Sequence, residues 1–364
     1  MENIILWILA AGAVIGGVDL IIGNRFKLGE KFEEGFRLLG PTALSMVGIL
    51  CLAPLLSAAL EYTVAPLFRL IGLDSAMLGG ILAIDMGGYQ MAQSLAADSS
   101  VGSYAGILVS ATLGCTVSFT IPLGVGVVEK DDLHDFFRGI LIGLAVMPIA
   151  LLLGGMLCKI PFITLLINTL PVIVFSALLI LGLIFKQSMM LTLFSLFAKL
   201  IRLVSIIGLI LGAVQYITGI NFIPSLTPIE DSMKVVSGIG VVMLGSLPIA
   251  ELLRRILSYP MKKLGQKYGL RDSSLTTLLV GFVSVTPALT MIKDMDRKGK
   301  TMNSAFIVCA ASTLASHLGF TLSVESEMVQ PLLLTKLAGG IIAAVIALIY
   351  CIKSEKDTTA AQLK

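Results

Sequence analysis

Long apolar runs alternate with short polar intervals along the whole chain. Each run approaches the roughly 20 residues that an α-helix needs to cross the hydrocarbon core of a membrane. The eleven runs cover residues 4–22, 38–60, 76–96, 101–127, 138–157, 163–185, 200–220, 235–253, 274–292, 302–323 and 331–352. No segment alternates with the period of a barrel strand. The pattern therefore predicts an all-α polytopic membrane protein with about 9–11 hydrophobic helices, since a helix satisfies its own backbone in lipid.

The first run begins directly after Met1-Glu2-Asn3, without the basic segment that opens a signal peptide. We therefore expect a retained first helix with the N-terminus outside. The polar intervals are too short to form a separate soluble domain.

The composition supports a membrane location and excludes several other classes. Charged residues make up 13% of the chain and hydrophobic ones 56%, and the mean hydropathy is +0.97. With 26 basic and 23 acidic residues, there is no basic surface for nucleic acid. Five scattered cysteines without ligand spacing predict neither a metal site nor a disulfide framework, and we expect no cofactor. The absence of hydrolase and nucleotide-binding motifs argues against an enzyme or an ATP-driven pump.

A weak internal repeat relates the two halves of the chain at an offset of 196–201 residues. Glycines and neighbouring residues in 12–23, 48–56 and 112–120 recur in 208–219, 245–253 and 313–321. The sequence predicts a first repeat over 1–158, a linking helix within 159–198 and a second repeat over 199–364.

The basic residues predict how the halves are oriented. The intervals 254–271 and 293–300 are both rich in Lys and Arg and should both be cytoplasmic, yet only the run 274–292 separates them. We therefore expect this run, and its counterpart 76–96, to enter and leave the membrane on one side. This gives inverted halves with broken helices and a cytoplasmic C-terminal tail. The alternative topology has eleven full spans and parallel halves.

The main functional candidate is Asp85, inside the run 76–96. An acid at that depth costs roughly 2.5–3.5 kcal/mol and is tolerated mainly where it faces a cavity or a partner. Gly87 and Gly88 weaken the helix next to it. With the aromatic face of Tyr89 and the amide of Gln90, Asp85 could hold a small ammonium ion. The alternative is that Asp85 only caps the helix after a kink.

Four further residues are candidates for substrate binding. Asp19 and its repeat partner Gln215 are polar within apolar runs, and each could line the pathway or bond another helix. Thr286 precedes Pro287, which we expect to break the helix. His317 lies in the last repeat element, where an ordinary interhelical hydrogen bond is the alternative to a functional role.

Several short motifs resemble the ethanolamine-utilisation permease family, EutH. They are Phe32-Glu33-Glu34-Gly35-Phe36, Ala43-Leu44-Ser45-Met46-Val47-Gly48, Ala53-Pro54 and Asp85-Met86-Gly87-Gly88. Length and hydrophobic layout agree over essentially the whole chain, although Ile84 stands where some members have cysteine. The resemblance implies a multi-pass protein of the bacterial plasma (inner) membrane that admits ethanolamine for catabolism by a cobalamin-dependent ammonia-lyase pathway.

We therefore expect uptake of ethanolamine as a small protonated amino-alcohol, by facilitated diffusion or secondary transport. The expected partners are this small molecule and the lipid bilayer, and a homo-oligomer is left open. The alternatives are an ion-coupled carrier or exchanger for another small solute and, from another class, a membrane-embedded scaffold or enzyme.

Overall fold

The structure is a computed structural model that describes residues 2–82 and 84–362, and all regular secondary structure in these residues is helical. The helices are α1 (Glu2–Ile21), α2 (Gly29–Arg37), α3 (Leu39–Thr63), α4 (Ala65–Leu70), α5 (Met77–Ile81), α6 (Gly88–Leu95), α7 (Ser99–Val127), α8 (Leu133–Gly155), α9 (Phe162–Phe185), α10 (Gln187–Thr218), α11 (Ile229–Tyr268), α12 (Asp272–Val283), α13 (Val285–Thr290), α14 (Arg297–Ala310), α15 (313–324) and α16 (Val329–Gln362).

Within the described residues, nine helical units are long and apolar enough to cross a membrane. The pair α2–α3 and the pair α14–α15 each count as one unit, and the other seven are α1, α7, α8, α9, α10, α11 and α16. The prediction of an all-α polytopic membrane protein is confirmed.

Two helices are longer than their apolar runs. Helix α10 starts at Gln187 rather than near residue 200, and α11 has 40 residues and continues through most of the basic interval 254–271. The extension of α10 is rich in Leu and Met and that of α11 in Lys and Arg, and all four are good helix formers, so these helices continue beyond the predicted runs.

The run 76–96 folds into a short hairpin over residues 74–98, which we call the first hairpin. Its arms are α5, with 5 residues, and α6, with 8 residues. At 1.5 Å per residue neither arm approaches the roughly 30 Å of a bilayer core. The carboxylate of Asp74 joins the two ends, since it accepts hydrogen bonds from the backbone N–H groups of Ala97 at 3.2 Å and Asp98 at 3.1 Å. The segment therefore returns to where it entered.

The run 274–292 forms the second hairpin, residues 271–296, from α12 and α13. Here Asp296 joins the ends, because its carboxylate accepts from the Arg271 backbone N–H at 2.8 Å and the Ser274 hydroxyl at 2.7 Å. It also caps α14 by accepting from Gly299 N–H at 2.9 Å. Burial alone would raise the pKa of Asp296, but these hydrogen bonds outweigh it and hold the pKa below its usual range. Their contribution to stability is therefore present at neutral pH and is lost as the pH falls through the lowered pKa.

Both arms of the first hairpin depend on glycine. Gly79 on α5 and Gly88 on α6 face each other so closely that a Cβ atom on either would overlap the backbone of the other. The second hairpin breaks at Ser284, which has extended backbone, and Pro287 lies within the first turn of α13. The expectation that Pro287 itself makes the break is therefore wrong by three residues, since proline is tolerated in a first turn.

The inverted repeat stays a prediction, and the structure gives it a definite form. Five of the nine units, α7 to α11, lie between the two hairpins. If each crosses the membrane once, the hairpins open toward opposite sides.

Accessibility of single cysteines tests this topology. We expect Ile71→Cys and Ser99→Cys, which flank the first hairpin, to react with a membrane-impermeant maleimide from one face. Lys267→Cys and Lys293→Cys, which flank the second, should react from the other face. All four positions are exposed, and the five native cysteines are buried. Labelling of positions 71 and 99 from opposite faces would show that the run 76–96 spans.

Candidate functional site

Asp85 lies at the break of the first hairpin, between its two arms. It has φ 53°, a left-handed conformation that Asp tolerates better than most residues, and it starts one turn of 3-10 helix ending at Gly87. Its carbonyl accepts hydrogen bonds from the Gly88 backbone N–H and from the Ser110 hydroxyl on α7. The neighbouring Ala83 lies outside the described residues. The turn leaves the Asp85 side chain 25% exposed.

The partner of Asp85 is His317, from the other half of the chain. His317 is 1% exposed, and its Nε2 lies 3.0 Å from Asp85 Oδ1. Its Nδ1 lies 3.0 Å from the carbonyl oxygen of Ala311. The chain turns sharply between α14 and α15 at Ser312, whose φ is 55° and whose N–H donates to the Gly281 carbonyl of the second hairpin at 3.1 Å. The pair thus joins the first hairpin to the break between α14 and α15.

A cavity of about 380 Å³ opens beside this pair. Both hairpin breaks contribute to its wall, through Asp85 to Gly87 and through Val283 to Thr286. Its other polar residues include Ser118, Ser312, Ser316 and His317. An acid, an imidazole and several hydroxyl groups therefore converge on one space, as expected of a site for a small polar ligand.

Cys115 brings a thiol to the same place. Its Sγ and the nearest donor atoms of Asp85 and His317 all lie within 4.8 Å of one another. Such a set resembles a transition-metal site, but Asp85 and His317 already satisfy each other through a 3.0 Å contact between the very atoms that would bind a metal. We therefore interpret the pair as hydrogen-bonded partners rather than metal ligands.

The cavity continues toward one end of the bundle. A second space of about 470 Å³ shares Glu34, Leu247, Val283 and Ser284 with it. This outer part, which we call the mouth, is lined by charged side chains of the α1–α2 turn, α2 and α11, namely Lys27, Glu30, Lys31, Glu34, Glu251, Arg254 and Arg255. A charged ligand could move from the mouth to Asp85 without crossing a purely apolar barrier.

Helix α15 leads away from His317 at the cavity to Glu325, which holds a cluster of side chains outside the cavity wall. Its carboxylate accepts hydrogen bonds from the Tyr89 hydroxyl at 3.1 Å and from the Ser103 hydroxyl at 2.7 and 2.8 Å. The Tyr89 ring also packs edge-on against Phe320, with centroids 5.9 Å apart. We call Tyr89, Ser103, Phe320 and Glu325 the closed gate.

The structure brings four of the sequence-predicted candidates to the cavity wall, namely Asp85, Gly87, Thr286 and His317. Tyr89 belongs to the closed gate instead, Gly88 packs between the arms of the first hairpin, and the half-buried Gln90 is not part of the wall.

Asp19 and Gln215 lie apart from the cavity wall. Both carboxylate oxygens of Asp19 accept backbone N–H groups of the α1–α2 turn, those of Phe26, Leu28 and Gly29, at 2.8–3.0 Å. Asp19 therefore fixes that turn and the start of α2. The Gln215 side-chain oxygen is buried without a hydrogen-bond partner among the described residues.

Sequence reasoning did not identify two charged residues next to the site. Lys336 is fully buried on α16, and its ammonium donates to the Ala111 carbonyl of α7 at 2.6 Å. Its position inside the apolar run 331–352 could have identified Lys336 as a candidate, because a basic residue is rare at that depth. Glu325 gave no such signal, because it lies in a polar interval where an acid is ordinary.

The chain matches one protein family over residues 1–350, described as "Ethanolamine utilisation protein, EutH". Among curated proteins, it is 36% identical to a "Probable ethanolamine permease EutH" of Listeria monocytogenes over 349 residues, covering 96% of this chain and 94% of that protein. It is 30% identical to a protein of the same name from Escherichia coli over 398 residues, covering 99% and 98%.

A third relative, the "Uncharacterized protein YxeR" of Bacillus subtilis, is 37% identical over 348 residues, covering 95% of this chain and 94% of that protein. No solved structure matches the chain.

Proposed function

The chain belongs to the EutH family of ethanolamine utilisation proteins, and on that premise we propose that it carries ethanolamine across the membrane as the protonated amino-alcohol. The observation that carries the proposal is a partly exposed intramembrane acid, Asp85, in a cavity that continues to the charged mouth. The relatives from Listeria monocytogenes and Escherichia coli, each named "Probable ethanolamine permease EutH", support the same substrate.

The chemistry of the substrate fits this site. A primary alkylammonium resembles the Lys side chain, with a pKa about 10.4, so it is charged at neutral pH and crosses lipid poorly. Asp85 provides the opposite charge at the inner end of the cavity. The hydroxyl groups of Ser118, Ser312 and Thr286 can bond the alcohol end.

Transport requires that the same site open alternately to each side. We assign the mouth to the cytoplasmic side, because Arg254 and Arg255 belong to the interval 254–271, which its Lys and Arg content places inside. The closed gate then faces outside, and the structure corresponds to an inward-open state. Separation of Glu325 from Ser103 and Tyr89 would open the outer path.

We further propose that the two repeats are residues 1–158 and 199–364, joined by the region 159–198, which contains α9 and the start of α10. In this topology the N-terminus lies outside and the C-terminus lies in the cytoplasm. The alternative function is an ion-coupled carrier or exchanger for another small solute, since one architecture serves many substrates. Competition of ethanolamine uptake by other amines and by carboxylates distinguishes the two.

Asp85→Asn tests the binding role of the acid. We expect ethanolamine to bind about 10–100-fold more weakly, because a hydrogen bond to a charged group contributes roughly 1.5–3 kcal/mol. The measurements are uptake of labelled ethanolamine into proteoliposomes and affinity in detergent.

Asp19→Asn is the matched control, since it makes the same change at another buried acid. It should lower the melting temperature, because Asp19 holds the α1–α2 turn, and leave the affinity of folded protein unchanged. Equal affinity of Asp85→Asn and wild type would remove Asp85 from the binding site.

Glu325→Ala tests the closed gate. It removes the acceptor shared by Tyr89 and Ser103, so the outer side should open more often. A cysteine replacing Ser118 in the cavity should then react with an impermeant thiol reagent added outside, several-fold faster than in the parent.

Glu327→Ala is the control for the gate. It lies two residues away, and its carboxylate pairs with the exposed Lys159 at 3.5 Å. It should leave the labelling rate unchanged. An unchanged rate in Glu325→Ala as well would contradict the assignment of the gate.

A further inference from the structure

We propose that the site exchanges one proton for one substrate ammonium ion, and that the proton is the one shared by His317 and Asp85. This inference rests on the proposed function. It goes further because it assigns His317 a role in the transport cycle and predicts the stoichiometry of binding.

The hydrogen-bond partners of His317 determine how many protons the His317–Asp85 pair holds. Nδ1 faces a backbone carbonyl, which can only accept, so Nδ1 must donate. Nε2 faces Asp85 Oδ1 at 3.0 Å, and a contact of that length needs a hydrogen between the two atoms. Either Nε2 donates and His317 is an imidazolium, or Asp85 is protonated and donates. In both cases the pair holds one proton more than a neutral imidazole and a carboxylate.

The remaining tautomer is disfavoured by the same geometry. A neutral imidazole with its hydrogen on Nε2 would direct the lone pair of Nδ1 at the Ala311 oxygen, 3.0 Å away. Two acceptors would then face each other in a buried place, and the carbonyl would lose a partner.

The substrate ammonium and this proton compete for one carboxylate. Asp85 is 25% exposed and lines the cavity, so an ammonium ion can reach it, whereas His317 is almost fully buried. When the ammonium nitrogen donates to Asp85, the contact between Asp85 and Nε2 is lost. The proton then leaves to cavity water, which returns His317 to a neutral imidazole and leaves Asp85 a carboxylate paired with the substrate.

The surrounding groups favour exchange over joint binding. The titratable groups that face the pair are Cys115 on α7 and Lys336 on α16, and Lys336 lies close enough for its charge to act on both members. Glu34 is at the far end of the cavity, and the cavity walls from α11, α12 and α13 carry no charged side chain. A retained proton and a bound ammonium would place two positive charges beside one acid, whereas exchange leaves the net charge unchanged.

The exchange has a consequence for the cycle. One positive charge moves inward with the substrate, and the empty carrier returns with one proton in its place. Transport is then electroneutral, so the concentration gradients of the substrate and of the proton, not the membrane potential, set its direction.

Proton release on binding tests the exchange. We expect calorimetric titration of the purified protein with ethanolamine hydrochloride at pH 7, in phosphate and in HEPES with EDTA present, to give about one proton released per ligand bound. In His317→Gln, where an amide can still donate to Asp85 but holds no exchangeable proton, release should fall to about zero while binding persists. His134→Gln makes the same change at an exposed histidine and should behave as wild type.

Each outcome decides between the two proposals. Saturable binding without proton release, or equal release from wild type and His317→Gln, would overturn the exchange and leave the proposed function intact. No saturable binding by wild type would overturn both. If His317→Gln fails to fold, the pH dependence of the wild-type affinity is the test. Exchange predicts that the dissociation constant for ethanolamine rises up to tenfold per unit fall in pH while the pair holds its proton. A dissociation constant that does not change with pH would contradict exchange.

Discussion

Backbone that is broken inside a membrane must find its hydrogen-bond partners within the protein, and the rest of this structure depends on that requirement. At each hairpin break, a backbone carbonyl accepts a hydrogen bond from a residue outside the hairpin. The Ser110 hydroxyl donates to the Asp85 carbonyl, and the Ser312 N–H donates to the Gly281 carbonyl. These bonds hold both breaks against the helices of their own halves, and therefore on the wall of a single cavity.

The electrostatics of the site follow from that placement. A carboxylate at the tip of a hairpin loses most of its hydration, so it needs a partner within the protein. His317 fills that position while the cavity is empty, and a small ammonium ion can take the same position when it enters. The partner comes from the other half of the chain, so in the proposed cycle substrate binding acts directly on a contact between the halves. In that cycle, cation recognition and movement of the halves are linked by one hydrogen bond.

Local patterns in the sequence were sufficient to predict part of the fold and one residue of the site. Run lengths and basic intervals predicted the helical fold and the two short segments, and the cost of an intramembrane acid pointed to Asp85. The contact between Asp85 and His317 could not be predicted, because the two residues are 232 positions apart and sequence spacing rules describe only local neighbours. Asp19 gave the same signal as Asp85 but caps a turn only 7–10 residues away, because a buried acid can be satisfied by backbone N–H groups as well as by a ligand.

The central claim is that the substrate ammonium replaces His317 as the partner of Asp85. An experimental structure of the protein with bound ethanolamine tests it most directly. The account predicts that the substrate nitrogen lies within hydrogen-bond distance, about 3 Å, of an Asp85 carboxylate oxygen, and that the contact between His317 Nε2 and Asp85 is broken. An intact contact with ethanolamine bound elsewhere would contradict it.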